Sequence, residues 1–245
     1  MTGSATHAAA LKVRAKALGV AASLLQATPD ELDILDGIVV HRDRPGGGSI
    51  SLAEIALHLA PDSPTLGERD PGLAAESWFR AEHMTYPYGV QIGVVRVDAD
   101  TGQATVERFL LAYEIGRSIN PRLVEGQLVG GFVQGLGGAL YEEFCYDERG
   151  QPLSVTLADY LMPTARETPA VEVLMTEDAP SPLNPLGIKS VGEGGINGVG
   201  AVIAAAIDEA IGLPGAVTRL PATPQQLKAL LRAAAQCGRP AAVEG

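Results

Sequence analysis

Apolar residues recur at Leu11, Ala15, Leu18, Ala22 and Leu25 in an opening stretch rich in Ala, Lys and Arg. That spacing predicts a helix from about Ala5 to Gln26. Thr28-Pro29-Asp30-Glu31 reads as a capped helical turn with proline at its first position. Leu32 to Asp36 and Gly37 to Arg42 predict two short strands around an Asp-Gly turn. Gly46-Gly47-Gly48 is a break, Ser51 caps a short helix to Leu59, and Ala60 to Gly72 reads as an exposed loop. The period then changes. Val90, Ile92, Val94, Val95 and Val97 predict a strand, Asp100-Thr101-Gly102 a turn, and Thr105 to Tyr113 the partner strand.

Asn120 and Pro121 open a second long helix, expected to run to about Phe144. It holds Gly126, Gly130, Gly131, Gly135, Gly137 and Gly138, each costing about 1 kcal/mol of helix propensity against alanine. Such a helix is expected to lie against something that needs its bare backbone. Strands are expected near Leu153 to Thr156 and Val171 to Met175. Ile196 to Ile211, apolar on nearly all sides, predicts a buried helix. Thr223-Pro224 caps a last amphipathic helix to about Ala235. The pattern is α+β, helices on short mixed sheets, read as one continuous unit over residues 1–245 with no firm internal boundary.

Composition narrows the chemistry. The 245 residues carry 18 Lys+Arg against 29 Asp+Glu, a formal charge of −11. That balance argues against a general phosphate-binding surface and so against nucleic acid as a partner. No apolar run is long enough to span a bilayer and no secretory signal opens the chain, so a cytoplasmic protein without a membrane span is expected. Cys145 and Cys237 are too far apart to read as a zinc or iron–sulfur pattern. Cys145, among Tyr and Phe, reads as a buried, inert thiol. His7, His41, His58 and His83 form no paired ligand spacing, and Glu142-Glu143 reads as a helix end or surface. The glycines cluster at Gly126 to Gly138 and Gly187 to Gly200, which marks close backbone approach to a ligand or another element.

Neither cluster is a dinucleotide fingerprint. From Gly135, Gly192 and Gly198 the position that needs the third glycine holds Leu140, Asn197 and Ile203. No Gly-Lys-Ser/Thr triplet exists for a P-loop. Glu193 stands among glycines before an apolar stretch, with Lys189 four residues upstream. It reads equally as a carboxylate at a helix N-terminus or as a general base on a loop whose N–H groups bind an anion. Gln127, between Gly126 and Gly130, is either a helix-surface residue or an amide donor with room cleared around it.

Four blocks stand in order: Gly116-Arg117-Ser118-Ile119-Asn120-Pro121, Glu125 to Gly137, Asp159-Tyr160-Leu161-Met162-Pro163-Thr164, and Asn184 to Gly195. Together they resemble the molybdenum-cofactor subunit of the xanthine dehydrogenase, aldehyde oxidase and carbon monoxide dehydrogenase family. The resemblance covers nearly the whole chain; even Thr2 to Leu18 resembles the helix that follows a cofactor loop there. It implies that Gln127 hydrogen-bonds the molybdenum centre or its pterin. It implies that Lys189, Ser190, Val191 and Gly192 form the loop whose backbone lies along that cofactor, in its cytosine dinucleotide form or another. No side chain here is expected to ligate the metal, which the pterin dithiolene holds. Glu193 matches the catalytic glutamate, which takes a proton so that an oxygen from water attacks an electron-poor carbon while the metal accepts the electrons. Electrons then leave through Fe–S clusters and FAD in partner subunits.

The sequence departs from the family pattern at Glu114, where Asp is commoner, and at Ser190, which replaces a frequent Gly. A substantial N-terminal portion and a Ser/Thr-rich cofactor loop have no counterpart here. The resemblance therefore implies the C-terminal part of a molybdenum hydroxylase large subunit. It would fold stably only against a complementary N-terminal half, with the cofactor buried between them, as in the divided subunit of nicotinate dehydrogenase, and be active only in complex. N-heterocycles and aldehydes are the implied substrates. A reductive member of the hydroxybenzoyl-CoA reductase type and a non-catalytic assembly subunit are the alternatives.

Overall fold

A computed structural model describes residues 1–236, so Cys237 lies outside the described residues. The chain gathers into two compact units, Met1–Glu82 and His83 onward, a division that composition does not mark.

In the first unit, α1 (Thr2–Leu25) ends where Gln26 turns left-handed, and Ala17, Leu18, Val20, Ala21 and Ala22 of its second half are buried. A turn at Pro29–Glu31 leads into an antiparallel sheet of β1 (Leu32–Leu35), β2 (Ile38–His41) and β3 (Ile50–Ser51). Ser51 then caps α2 (Leu52–His58). Its hydroxyl accepts from the Glu54 N–H at 3.1 Å and Glu54 accepts from the Ser51 N–H at 2.9 Å, which satisfies two orphan donors reciprocally. Leu32, Val39, Ile50, Ile55 and Leu59 complete this core.

The second unit is built on a mixed sheet. β4 (Tyr88–Val97) and β5 (Ala104–Glu114) form the expected hairpin, and β6 (Ala170–Thr176) runs parallel to β5. Near Val94 the register slips, leaving Glu107 as an extra residue. That bulge resets the alternation of β5, so both Val106 and Phe109 reach the core. Two helices, α3 (Pro121–Leu140) and α4 (Val199–Ile211), cover the inner face, and α5 (Pro224–Gln236) adds Leu227 and Leu231. Phe109 and Phe132 meet as a tilted pair at 4.4 Å between ring centroids, at the short limit of favourable aromatic pairs.

Several expectations change. α3 stops at Leu140 because the chain folds back: the N–H groups of Tyr141 and Glu142 both reach the Gly137 carbonyl at 2.8 Å. Of its glycines, Gly131 and Gly135 lie against Gly195 and Val199, while Gly126, Gly130 and Gly138 meet nothing within 4 Å. Only part of the glycine load therefore answers to close packing. The strand expected at Leu153 to Thr156 does not form. The Ser154 hydroxyl receives the Cys145 N–H and donates to the Glu143 carbonyl, and Thr156 turns with Asp159, so local side-chain bonds replace a ladder. Cys145 is exposed, not buried. The helix expected from Ile196 begins at Val199, after turns at Gly192 to Gly198. It buries only the stripe Val199, Ile203, Ile207 and Ile211.

Candidate functional site

Two blocks far apart in sequence clasp in the second unit. The Arg117 and Ser181 N–H groups donate to the Gly187 carbonyl at 2.9 and 3.0 Å, and the Lys189 N–H donates to the Ile115 carbonyl at 3.1 Å. Gly116 sits at φ +66°, and a Cβ there would lie 2.3 Å from the Gly187 oxygen. Only glycine permits this crossing. Asn184 braces the turn: its Oδ1 accepts from the Leu186 and Ile188 N–H groups, and its Nδ2 donates to the Ile188 carbonyl at 2.9 Å.

Beneath the clasp lies a cleft of about 300 Å³. Ile115, Ile119, Leu123, Ile188 and Val191 give it apolar walls, and Arg117, Gln127 and Lys189 line it as well. Gln127 is presented by the second turn of α3, whose start is fixed by the Asn120 cap and Pro121. A Cβ on Gly192 would stand 3.8 Å from Gln127 Nε2, so the missing side chain leaves the space before that amide open. Gln127, Ser190, Gly192 and Glu193 are all exposed.

Glu193 stands six residues before the first residue of α4, whose N-cap is Gly198. It is therefore not a helix-capping carboxylate. Its backbone carbonyl accepts from Ile196 and Asn197 at 3.2 and 3.3 Å, and its side chain enters none of the ion pairs among the described residues. The loop that carries it is seated by residues whose role the sequence did not announce. Gln91 of β4 donates from Nε2 to the Gly194 carbonyl at 3.0 Å. A Cβ on Gly194 would stand 2.8 Å from the Tyr113 ring, and one on Gly195 would stand 2.1 Å from the Leu128 carbonyl oxygen. Burial pushes the Tyr113 hydroxyl above its ordinary range.

Lys189 is committed elsewhere. Its ammonium is ion-paired to Glu114 and lies 4.9 Å from the centre of the Tyr88 ring. Burial works to raise the Glu114 carboxyl, but Lys189 and the Gly116 and Ala179 N–H groups outweigh it and hold the group below the usual carboxylate range. Among the described residues no group of His, Cys, Asp and Glu could hold a metal ion, and no helix is long and apolar enough to cross a membrane.

The family model for a molybdopterin cofactor-binding domain matches residues 1–169, which takes in Gln127 and ends before the Asn184 loop. The gamma subunit of the 6-hydroxypseudooxynicotine dehydrogenase complex of Paenarthrobacter nicotinovorans is 44% identical over 93% of this chain and 28% of its own length. The carbon monoxide dehydrogenase large chain of Hydrogenophaga pseudoflava is 37% identical over 79% of this chain and 24% of its own. The solved CO dehydrogenase from Oligotropha carboxidovorans superposes with a TM-score of 0.81 at 32% identity, over 96% of this chain and 29% of that one. The chain thus spans less than a third of the length of these relatives.

Proposed function

We propose, from the premise that this chain belongs to the molybdopterin cofactor-binding family of molybdenum-dependent oxidoreductases, that it forms the Glu193 side of a molybdenum hydroxylase site. The juxtaposition of the Gln127 amide, the bare Gly192 and the exposed Glu193 carries this reading. A pterin cofactor fits the donors present: a primary amide, a serine hydroxyl and the N–H groups of a glycine-rich loop, with open space where a Gly192 side chain would stand. Loop N–H groups can receive an anionic group without Lys or Arg, which suits a chain of charge −11.

When bound, the cofactor supplies a metal that acts as Lewis acid and two-electron acceptor. Gln127 would donate a hydrogen bond to it from Nε2, and Ser190, Val191 and Gly192 would hold it through the loop, whether or not it carries a cytosine dinucleotide. Glu193 would take a proton at its carboxylate from the oxygen supplied by water, so that this oxygen could bond an electron-poor carbon of an N-heterocycle or aldehyde as the C–H bond there breaks and its electron pair goes to the two-electron acceptor. Cys145 and Cys237 do not stand in cluster spacing, so an Fe–S relay would lie in a partner subunit; FAD in a further subunit and a cytoplasmic setting belong to the same reading. Exposed apolar side chains such as Tyr88, Val90 and Ile92 on β4 support a complementary polypeptide that carries the rest of the unit.

Glu193→Gln in the purified complex tests the role. Turnover of N-heterocycles or aldehydes with an artificial acceptor should fall by about 10²- to 10⁴-fold, while molybdenum content stays at the wild-type level. Undiminished turnover, or loss of the metal itself, would refute it.

A further inference from the structure

Two cations line the cleft: Arg117, which is exposed, and Lys189, which is buried together with its counter-ion. The Lys189 side chain is 10% exposed and that of Glu114 is 4% exposed. The carboxylate is fully engaged. Oε2 takes the Lys189 ammonium, and Oε1 accepts from the Gly116 N–H at 2.9 Å and the Ala179 N–H at 3.2 Å. One carboxylate thus ties together the end of β5, the approach at Ala179 and the loop of Lys189. A bond between the Lys189 N–H and the Ile115 carbonyl holds the same loop through its backbone.

We propose that Glu114 and Lys189 act as a positioning pair. In it the ammonium is used up by the carboxylate, and the Ile188–Gly192 backbone is thereby set beside Gln127. The inference rests on the cofactor reading above and deepens it: Lys189 contributes its place in the loop rather than its charge. A direct electrostatic role for Lys189 makes the opposite prediction for Glu114, because removing the carboxylate would release the ammonium toward an anionic ligand.

Glu114→Gln, Lys189→Gln, Lys189→Arg and the double Gln variant would be compared in the purified complex. The readouts are molybdenum and pterin content and amide hydrogen exchange across residues 184–192. The pair predicts that each single Gln variant loses cofactor and that both exchange about tenfold faster or more across the loop. It also predicts that the double variant is no worse than the worse single one, since both remove the same interaction. Lys189→Arg, which keeps the pair, retains more cofactor than Lys189→Gln. Wild-type cofactor content in Glu114→Gln beside loss in Lys189→Gln would overturn the proposal and make Lys189 a ligand. The double variant strands no buried charge, so it decides the matter if a single variant fails to fold: wild-type protection across the loop would overturn the pair. A wild-type complex without molybdenum or pterin would refute the cofactor reading, and loop exchange would still decide the pair.

Discussion

Two adjoining stretches of the second unit invert the ordinary rule of burial in opposite ways. Along α3 and the loop before α4, residues without side chains are inside: Gly131, Gly135, Gly194 and Gly195 are all buried. From 141 to 169 the reverse holds. Phe144, Tyr146, Leu153, Val155, Leu157, Leu161 and Met162 are all exposed, on a backbone with neither helix nor strand. Buried glycine fixes distance, because it lets one backbone lie directly on another. Exposed apolar surface fixes nothing within the chain, and contiguous patches of it mark places where another surface docks. The loop of Glu193 is held to the first standard. The 141–169 stretch is ordered by local turns, by the Ser154 and Tyr160 hydroxyls bonded to Glu143 and Glu142, by an ion pair between Glu143 and Arg219, and by a tilted aromatic pair, Phe144 and Tyr160 at 4.9 Å.

The strongest way to break this contrast is to add one methyl group at the closest approach. In Gly195→Ala the new Cβ would lie 2.1 Å from the Leu128 carbonyl oxygen and 3.0 Å from the Gly131 Cα. Both neighbours are backbone of α3, which cannot rotate away. The expected cost is about 3 kcal/mol, measured by denaturant unfolding of the full chain in its complex, with cofactor loss alongside. A cost below about 1 kcal/mol would show that the loop can shift and that its packing does not set Glu193.

What could be foreseen divides along the same line. The caps were legible, because Ser51 with Glu54 and Asn120 with Pro121 act over three residues. The β4–β5 hairpin was legible from its alternation, although the bulge at Glu107 was not, since an extra residue leaves no mark on composition. The strand expected at Leu153 to Thr156 failed because alternation there reflects exposure on both faces and not burial of one. Gln127 and the Lys189–Glu193 loop could be singled out by their glycine surroundings, and the structure brings Gln127 and Gly192 together. The supports could not. Glu114 lies 75 residues from Lys189 and showed only as a departure from aspartate, and Gln91 reads as one polar residue in an apolar strand.

A smaller effect, of opposite sign, separates the glycines of α3 from one another. Gly138 is exposed, lies in the last turn of the helix, and a Cβ there would meet nothing within 4 Å. Gly138→Ala should therefore raise stability by about 0.5–1 kcal/mol through helix propensity and a less free unfolded chain. A loss of similar size would mean that this face is covered in the assembly, which a measurement on the complex would register.

The smallest expected change tests the other half of the contrast. Leu157 is 77% exposed and Val155 65%, so neither side chain contributes appreciable burial within the chain. Leu157→Ser and Val155→Thr should each shift the chain's own unfolding by no more than about 0.5 kcal/mol. The sharper readout is retention of the proposed complementary polypeptide through a dilution series. If that surface docks a partner, Leu157→Ser weakens co-purification while amide exchange across the β4–β5 and α3 core of the complex that remains stays at the wild-type rate, because the methyl groups are removed from water only on assembly. Exchange across that core faster by about fivefold or more would instead place Leu157 in a contact of its own chain, and the division between buried glycine and exposed leucine would fail at that residue.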